Sequence, residues 1–442
     1  MTQSSTLATL FAILTSSAWA VPSSAQAQPA DSSQKARSAD ESLFGDNRTK
    51  GGKKGNFQVG GRLSITSEFL MNDDLAGGAD NAHASFRPEA RLELSYEPVN
   101  DVEAFASLEL GFDQDRSDGR RTSSARVGVR EAYLLMKDVI FDDFELQVGR
   151  QDFDDGREWL YDKRLDGLRL AYDRRAWRIE LAWAREALVR KYLSGPNPDR
   201  DKVDNFIFRA QYEMSRDWKV AAYVLRQKDR RASNISPIFF GVQSEGQLGG
   251  GFDHWLEYSI QRGEAGQRKL RASAFDVGII YNFPMTGRPS IFGGYARGSG
   301  GGDAKTTRTF RQTGLQDNED RISGLGQVKY YGELLDPDLS NIAIFTAGAG
   351  VRPSRSSSLE IVGHIFKQAS LRRDDVRGSP ITAELNGLRP NIGTEIDAIF
   401  AIRLMRGLGL EAKLGWFSPS SGFDARARED AIFGKLRIVR RF

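Results

Sequence analysis

The stretch "FRPEARLELSYE", residues 86–97, decides how the chain is to be read. Phe86, Pro88, Ala90, Leu92, Leu94 and Tyr96 fall on one side of an extended chain. Arg87, Glu89, Arg91, Glu93, Ser95 and Glu97 fall on the other. A period of two with this contrast marks a strand with one apolar and one charged face. Residues 102–113 repeat it, with Val102, Ala104, Ala106, Leu108, Leu110 and Phe112 on one side. Residues 407–417 do the same, setting Leu408, Leu410, Ala412, Leu414 and Trp416 against Glu411, Lys413 and Gly415.

A soluble sandwich also alternates, so three further features separate it from a membrane barrel. The alternating segments run to about ten residues or more, enough for a tilted strand to cross a bilayer. Aromatics stand near segment ends, as at Trp177, Trp183, Trp218 and Tyr281, where interfacial girdles form. Connections alternate in length: "PVND", "DRRA", "MSRD", "PMTGRP" and "MRG" are short, while 71–84, 114–123, 152–163, 188–203 and 301–338 are long and charged. Short periplasmic turns and long outer loops give that rhythm. Assigning the weak segment 323–334 to an outer loop leaves about 18 strands, an even number with both termini on the periplasmic side. The expected fold is therefore all-β: a transmembrane antiparallel β-barrel over residues 56–442. The last strand, "AIFGKLRIVRRF", ends on Phe442, a terminal aromatic suited to recruiting the barrel assembly machinery.

Ahead of the barrel, "LATLFAIL" (7–14) followed by "AWA" and "AQA" reads as a signal peptide spanning 1–27, although no Lys or Arg precedes its apolar core. Cleavage after Ala20 is the second choice. Residues 28–55 are polar and read as a periplasmic linker. The chain has 442 residues, a formal net charge of +3 and no cysteine. The small net charge gives no case for nucleic acid, and the missing cysteines remove disulfides, thiolate metal sites and a lipidated N-terminal cysteine. No later stretch has the roughly 18 apolar residues of a membrane helix. The expected location is the bacterial outer membrane, with outer-membrane lipid as the immediate partner.

The most charged connection lies in "VGRQDFDDGREWLYDKRLDGLRL", residues 148–170. Between two strands, the charge of "DFDDGREWLYDKR" is expected in water beyond the membrane. "VGRQ", "WLYD" and "LDGLRL" here, with "REAYL" (130–134), "GLQDNEDR" (314–321), "DPDLSN" (336–341) and "GTEID" (393–397), resemble segments of the alginate-export family of outer-membrane porins, in order along the mature chain. The resemblance implies an 18-stranded barrel and, in the family's best-known members, passage of an anionic polysaccharide. The connection at 404–407 is only "LMRG", which leaves little room for a periplasmic plug.

Strand parity and the resemblance together nominate lining or substrate-binding residues: Arg62, Arg87, Arg91, Arg150, Asp166, Arg169, Arg209, Glu395, Asp397, Arg403, Lys435 and Arg437. Charges in lipid cost about 2–4 kcal/mol at the midplane, so most belong in a wet lumen. Arginine contacts carboxylates bidentately, whereas mutual pairing within the wall is the plainer role for the same residues. Arg62, Arg87, Arg91, Lys435 and Arg437 are expected to form one basic sector where the first and last strands meet. Arg150 shares parity with Phe144, Leu146 and Val148, and Glu131 with Val127 and Val129, so each is expected to need a bulge to turn inward. Asp166 is placed to pair with Arg150. No metal or cofactor is implied: "DQDRSDG" (113–119) opens like a calcium loop but has Ser124 where a closing Glu belongs. A channel for an anionic saccharide is the leading expectation, and a porin for small organic acids or sugars the alternative. A barrel enzyme is the remote third and would need a Ser–His pair on the barrel exterior.

Overall fold

The computed structural model describes residues 57–77, 81–99, 101–117, 119–139, 141–189, 202–231 and 235–442. The signal peptide, the linker and most of the connection at 188–203 lie outside the described residues. The chain forms eighteen long strands: β1 (Phe57–Met71), β2 (Ala82–Val99), β3 (Val102–Ser117), β4 (Arg120–Lys137), β5 (Phe144–Asp154), β6 (Asp162–Arg174), β7 (Trp177–Arg185), β8 (Val203–Ser215), β9 (Trp218–Asp229), β10 (Ile235–Gly249), β11 (Phe252–Ala265), β12 (Arg268–Asn282), β13 (Ser290–Gly298), β14 (Ile342–Ser354), β15 (Ser357–Gln368), β16 (Asn391–Met405), β17 (Leu408–Pro419) and β18 (Ala431–Arg441). Each pairs antiparallel with its sequence neighbours, and β1 pairs with β18 from Arg62–Arg441 to Met71–Ile432. Phe442 completes the seam by exchanging backbone hydrogen bonds with Gly61 at 3.0 and 3.1 Å. Closure leaves no unpaired edge, the condition for a sheet in lipid.

The alternation in the sequence maps onto the wall. Leu63, Leu110, Leu181, Ile291 and Ile396 are each half or more exposed and form the outer apolar belt. Cross-strand aromatic pairs border it beside the short turns, among them Phe144–Tyr172 and Trp177–Tyr212, both at 4.8 Å, and Phe252–Tyr281 at 4.6 Å. These are the girdle positions expected at a membrane interface.

Two of the expected outer loops turn out differently. Residues 114–123 are not a long loop, because β3 and β4 stay paired up to Ser117–Arg120. Their charged side chains fall on both faces, as at Asp115 and Arg116 or Arg120 and Arg121, and above the membrane a strand needs no apolar face. The charged loop 155–161 does not stand in water: Trp159, Leu160 and Tyr161 are almost fully buried, with Asp155, Arg157 and Glu158 beside them. It folds into the barrel together with the long β13–β14 connection. Backbone bonds join the two loops, from Asp162 to Leu315 at 2.8 Å and from Asn318 to Glu158 at 3.0 Å. Segment 323–334, assigned above to a loop, contributes only Val328–Lys329 as a two-residue strand.

An eighteen-stranded wall encloses more volume than its own side chains fill. The loops supply the missing layer. Trp159, Phe310, Tyr331, Leu334 and Leu335 from the loops pack with Phe153, Tyr223, Phe239, Phe366 and Phe417 from the wall. The apolar core of this protein is thus an inward plug.

Candidate functional site

Wall carboxylates pin the plug. Glu395 accepts the backbone N–H groups of Leu334 and Leu335 at 2.7 and 2.9 Å, and Asp397 that of Glu333 at 3.2 Å. Glu411 accepts Gln327 N–H at 3.0 Å, and Glu360 accepts Gly324 N–H at 3.0 Å. Asp276 takes hydrogen bonds from Arg157 (3.2 Å), the Tyr331 hydroxyl (3.0 Å) and the Trp255 indole (2.8 Å). Trp159 donates its indole N–H to the Tyr331 hydroxyl at 2.7 Å. Lys413 on the wall holds Glu333 of the loop at 2.9 and 3.0 Å. Burial raises the Glu333 carboxyl to about 7, against the pull of Lys413.

Between the plug and the inner faces of β1, β2, β4, β6 and β18 a cleft of about 320 Å³ remains open. Register builds its lining: Arg62 stands opposite Arg91 across β1–β2, and Thr66 lies between Arg87 and Arg437. Glu68 is level with Lys435, and Glu411 with Arg437. The five residues expected to form a basic sector all line this cleft. Arg126, Arg130 and Arg164 join them. Arg126 and Arg130 were legible as the polar partners of Ala125, Val127 and Val129 but were passed over. Acids thread the sector: Glu68 sits 3.1 Å from both Arg87 and Lys435, and Arg126 reaches Glu89 at 3.2 Å and Glu109 at 3.3 Å. Eight basic and six acidic side chains line the cleft, so its field is basic by a narrow margin. Three of those acids, Glu158, Asp317 and Glu319, come from the plug and bring carboxylate oxygens within 4.8 Å of one another. Burial pushes the Glu158 carboxyl up to about 12, with Asp162 and Glu319 adding to the shift. Burial also acts against Asp317, but Lys329 outweighs it and holds that carboxyl below the usual range.

The other nominated residues do not line the cleft. Glu395 and Asp397 are plug anchors, both 1% exposed. Arg209 donates to Gln243 at 2.8 Å beneath the 155–161 loop. Arg169 donates to the Asp152 carbonyl at 3.1 Å and lies over the Phe153 ring. Arg403 is half-buried near the periplasmic end of β16.

Glu131 and Arg150, expected to need bulges, separate. At Glu131 the bulge is present: Ser107 pairs with Glu131 and Leu108 with Val129, leaving Arg130 as the extra residue. Both Arg130 and Glu131 then face inward. At Arg150 there is no bulge, because register runs unbroken through Arg150–Asp166. Arg150 keeps the parity of lipid-facing Val148 and is satisfied in place. It grips Asp166 bidentately at 2.6 and 2.8 Å and donates to the carbonyls of Val129 and Val189 at 2.8 and 2.5 Å. The β4–β5 ladder ends beside it, at Ala132–Arg150. Arg150 and Asp166 therefore clasp the wall rather than line the pathway.

The exterior does carry a Ser–His contact. Ser244 Oγ lies 2.8 Å from His254 Nε2, in line with lipid-facing Val242 and Leu256. His254 Nδ1 is 2.8 Å from the Gly246 carbonyl, and Trp218 donates its indole N–H to Ser244 Oγ at 3.0 Å. No carboxylate orients this imidazole among the described residues, and the surrounding strand N–H groups are committed to ladders rather than to an oxyanion. The contact ties β9, β10 and β11 together near their periplasmic ends.

Comparison with known proteins agrees with this architecture. The family model described as "Alginate export" matches residues 56–431. The alginate production protein AlgE of Pseudomonas aeruginosa is 29% identical over 140 residues, covering 31% of this chain and 28% of AlgE. AlgE of Azotobacter vinelandii is 25% identical over 166 residues, covering 36% of this chain and 32% of that protein. These alignments span about a third of either relative. Among solved structures, Pseudomonas aeruginosa OccK7 (OpdD) superposes with a TM-score of 0.55 at 12% identity, covering 88% of this chain and 99% of that one. Acinetobacter baumannii OccAB4 gives 0.54 at 10%, covering 87% and 98%. At those identities the likeness is one of fold. With a closed eighteen-stranded barrel, an outer apolar belt and a family match over most of its length, the chain belongs to the alginate-export family of the bacterial outer membrane.

Proposed function

We propose that the protein is a passive outer-membrane channel for an anionic saccharide of the alginate type, and that the cleft along β1, β2, β4, β6 and β18 is its pathway. The observation that carries this reading is the row of Arg62, Arg87, Arg91, Arg126, Arg130, Lys435 and Arg437 along one cleft. A uronate chain presents carboxylates at regular intervals, and guanidinium groups two residues apart on a strand, about 7 Å, offer successive contacts. Pairing with Glu68, Glu89 and Glu109 keeps those contacts weak enough for release, which conduction requires. The mechanism is electrostatic guidance without chemistry, so the protein is read as a channel and not an enzyme.

The filled half of the lumen favours a second reading, a narrow porin for small organic acids or sugars. Bilayer recordings separate the two. Oligomeric uronate that blocks small-ion current in a length-dependent way supports the polymer reading. Block by monomers alone supports the small-solute reading, and absence of anion preference at low salt removes both. Phe442 is read as the signal to the assembly machinery. Its deletion is expected to lower the outer-membrane yield, and an unchanged yield would refute that role.

A further inference from the structure

We propose that Glu158, Asp317 and Glu319 form a calcium site that ties the β5–β6 loop to the β13–β14 loop at the rim of the cleft. Their carboxylate oxygens all lie within 4.8 Å of one another, close enough to share one ion held at about 2.4 Å. Magnesium, at about 2.0–2.1 Å, demands a tighter cage. All three ligands are hard oxygens, which argues against zinc and copper.

A second observation points to a missing ligand. Glu158 is 6% exposed, and its Oε2 is buried without a hydrogen-bond partner. The plug's other buried acids behave differently. Asp155 accepts four backbone N–H groups, and both oxygens of Glu333 accept Lys413. A buried carboxylate oxygen left unmatched is costly, and a cation is the partner that two further carboxylates facing it would share. Asp317 Oδ1 already accepts Lys329 at 2.9 Å, leaving Oδ2, and Glu319 Oε1 accepts Gln327 at 2.9 Å while Lys413 stands 3.9 Å from its Oε2, so an ion would compete with both lysines. Competition from Lys329 places the site among weak ones, in the range of about 10⁻⁴–10⁻³ M typical of extracellular calcium modules.

Occupation would act on the pathway as well as on the plug. A divalent ion there would add positive charge beside the plug's acids and widen the basic margin of the cleft. That consequence rests on the anion-channel reading; the binding site does not.

The test uses the full-length protein in detergent with terbium as the probe, excited through Trp159, the residue next to Glu158. Sensitised emission that millimolar calcium displaces better than magnesium is expected. Glu158→Gln and Glu319→Gln should each weaken terbium binding by roughly tenfold or more. Glu264→Gln, an exposed acid at the outer end of β11, should leave it unchanged. Anomalous migration of unheated samples verifies that each variant is folded. Unchanged emission in both loop variants would overturn the site and leave Glu158 as a protonated acid needing no ion; magnesium displacing terbium equally well would overturn the assignment to calcium. Should a variant fail to assemble, a titration of wild-type emission decides: no calcium-displaceable signal at millimolar calcium also overturns it. Loss of binding with unchanged anion over cation permeability in bilayer recordings would reject only the effect of the ion on the pathway.

Discussion

One half of the lumen is packed and the other is wet, although both are built from alternating strands. On β5 and β8–β17 the inward residues include Phe153, Tyr223, Phe239, Phe366 and Phe417, and loop side chains press against them. On β1, β2, β4, β6 and β18 the residues around the cleft are arginines, a lysine, acids, Ser64 and Thr66, and the cleft stays open. A dry concavity admits a loop whose apolar side chains can be buried there. A wall of paired charges repels the same loop, because burial would strip its ions of water. Under the plug, loop donors meet wall charges, as at Glu395 and Asp276. The contrast shows how one barrel can hold a rigid filler and a conducting path side by side.

Removing the filler should have the largest effect. Replacing residues 303–337 with a short linker should raise single-channel conductance roughly threefold or more, toward that of an open eighteen-stranded lumen. Equal conductance would mean that current never runs beside the plug. Trp159→Ala should destabilise the plug by about 3–5 kcal/mol through the cavity it leaves. The sign would be a loss of near-ultraviolet circular dichroism at a lower temperature than the loss of the β signal. Coincident transitions would show that plug and wall melt as one unit. Lys413→Met strands buried Glu333 and should cost about 3–5 kcal/mol in the same assay.

Smaller effects belong to the wet half. Replacing Arg87, Arg91 and Arg437 together by Glu should reverse the cleft's basic margin and lower anion over cation permeability. The shift should fade at 1 M salt, where screening acts over about 3 Å. Unchanged reversal potentials at low salt in a folded barrel would reduce these arginines to wall partners. Smallest of all, Arg87→Ala should change the stability of the barrel by less than about 1 kcal/mol, because its pairs with Glu68 and Asp115 are part-exposed. A larger loss measured by urea unfolding would show that the wet half is structural too.

Much of this was legible in particular residues. Arg87, Arg91 and Arg437 face the cleft because parity and barrel closure put them there, and both are local consequences of a period of two. Arg126 and Arg130 obeyed the same rule, blurred by the bulge between Val129 and Glu131. Arg150 broke the rule without a bulge: its partner Asp166 was foreseen, but the carbonyls of Val129 and Val189 that complete its shell come from distant segments. The three acids of the proposed calcium site gave no signal by spacing, since Glu158 lies far along the chain from Asp317 and Glu319.

Alternation alone was enough to specify the wall: about eighteen strands, the facing of most of their residues, the periplasmic seam and the outer belt. Those follow from alternation, which each strand carries within itself. Only the tertiary structure decided where "DFDDGREWLYDKR" goes. As a string it is a charged loop suited to water. Inside a barrel whose inner face offers Phe239 and Asp276, its Trp159 and Arg157 find apolar and ionic partners that no local pattern records. Loop burial depends on the volume a closed wall leaves unfilled, and that volume exists only after the wall has closed.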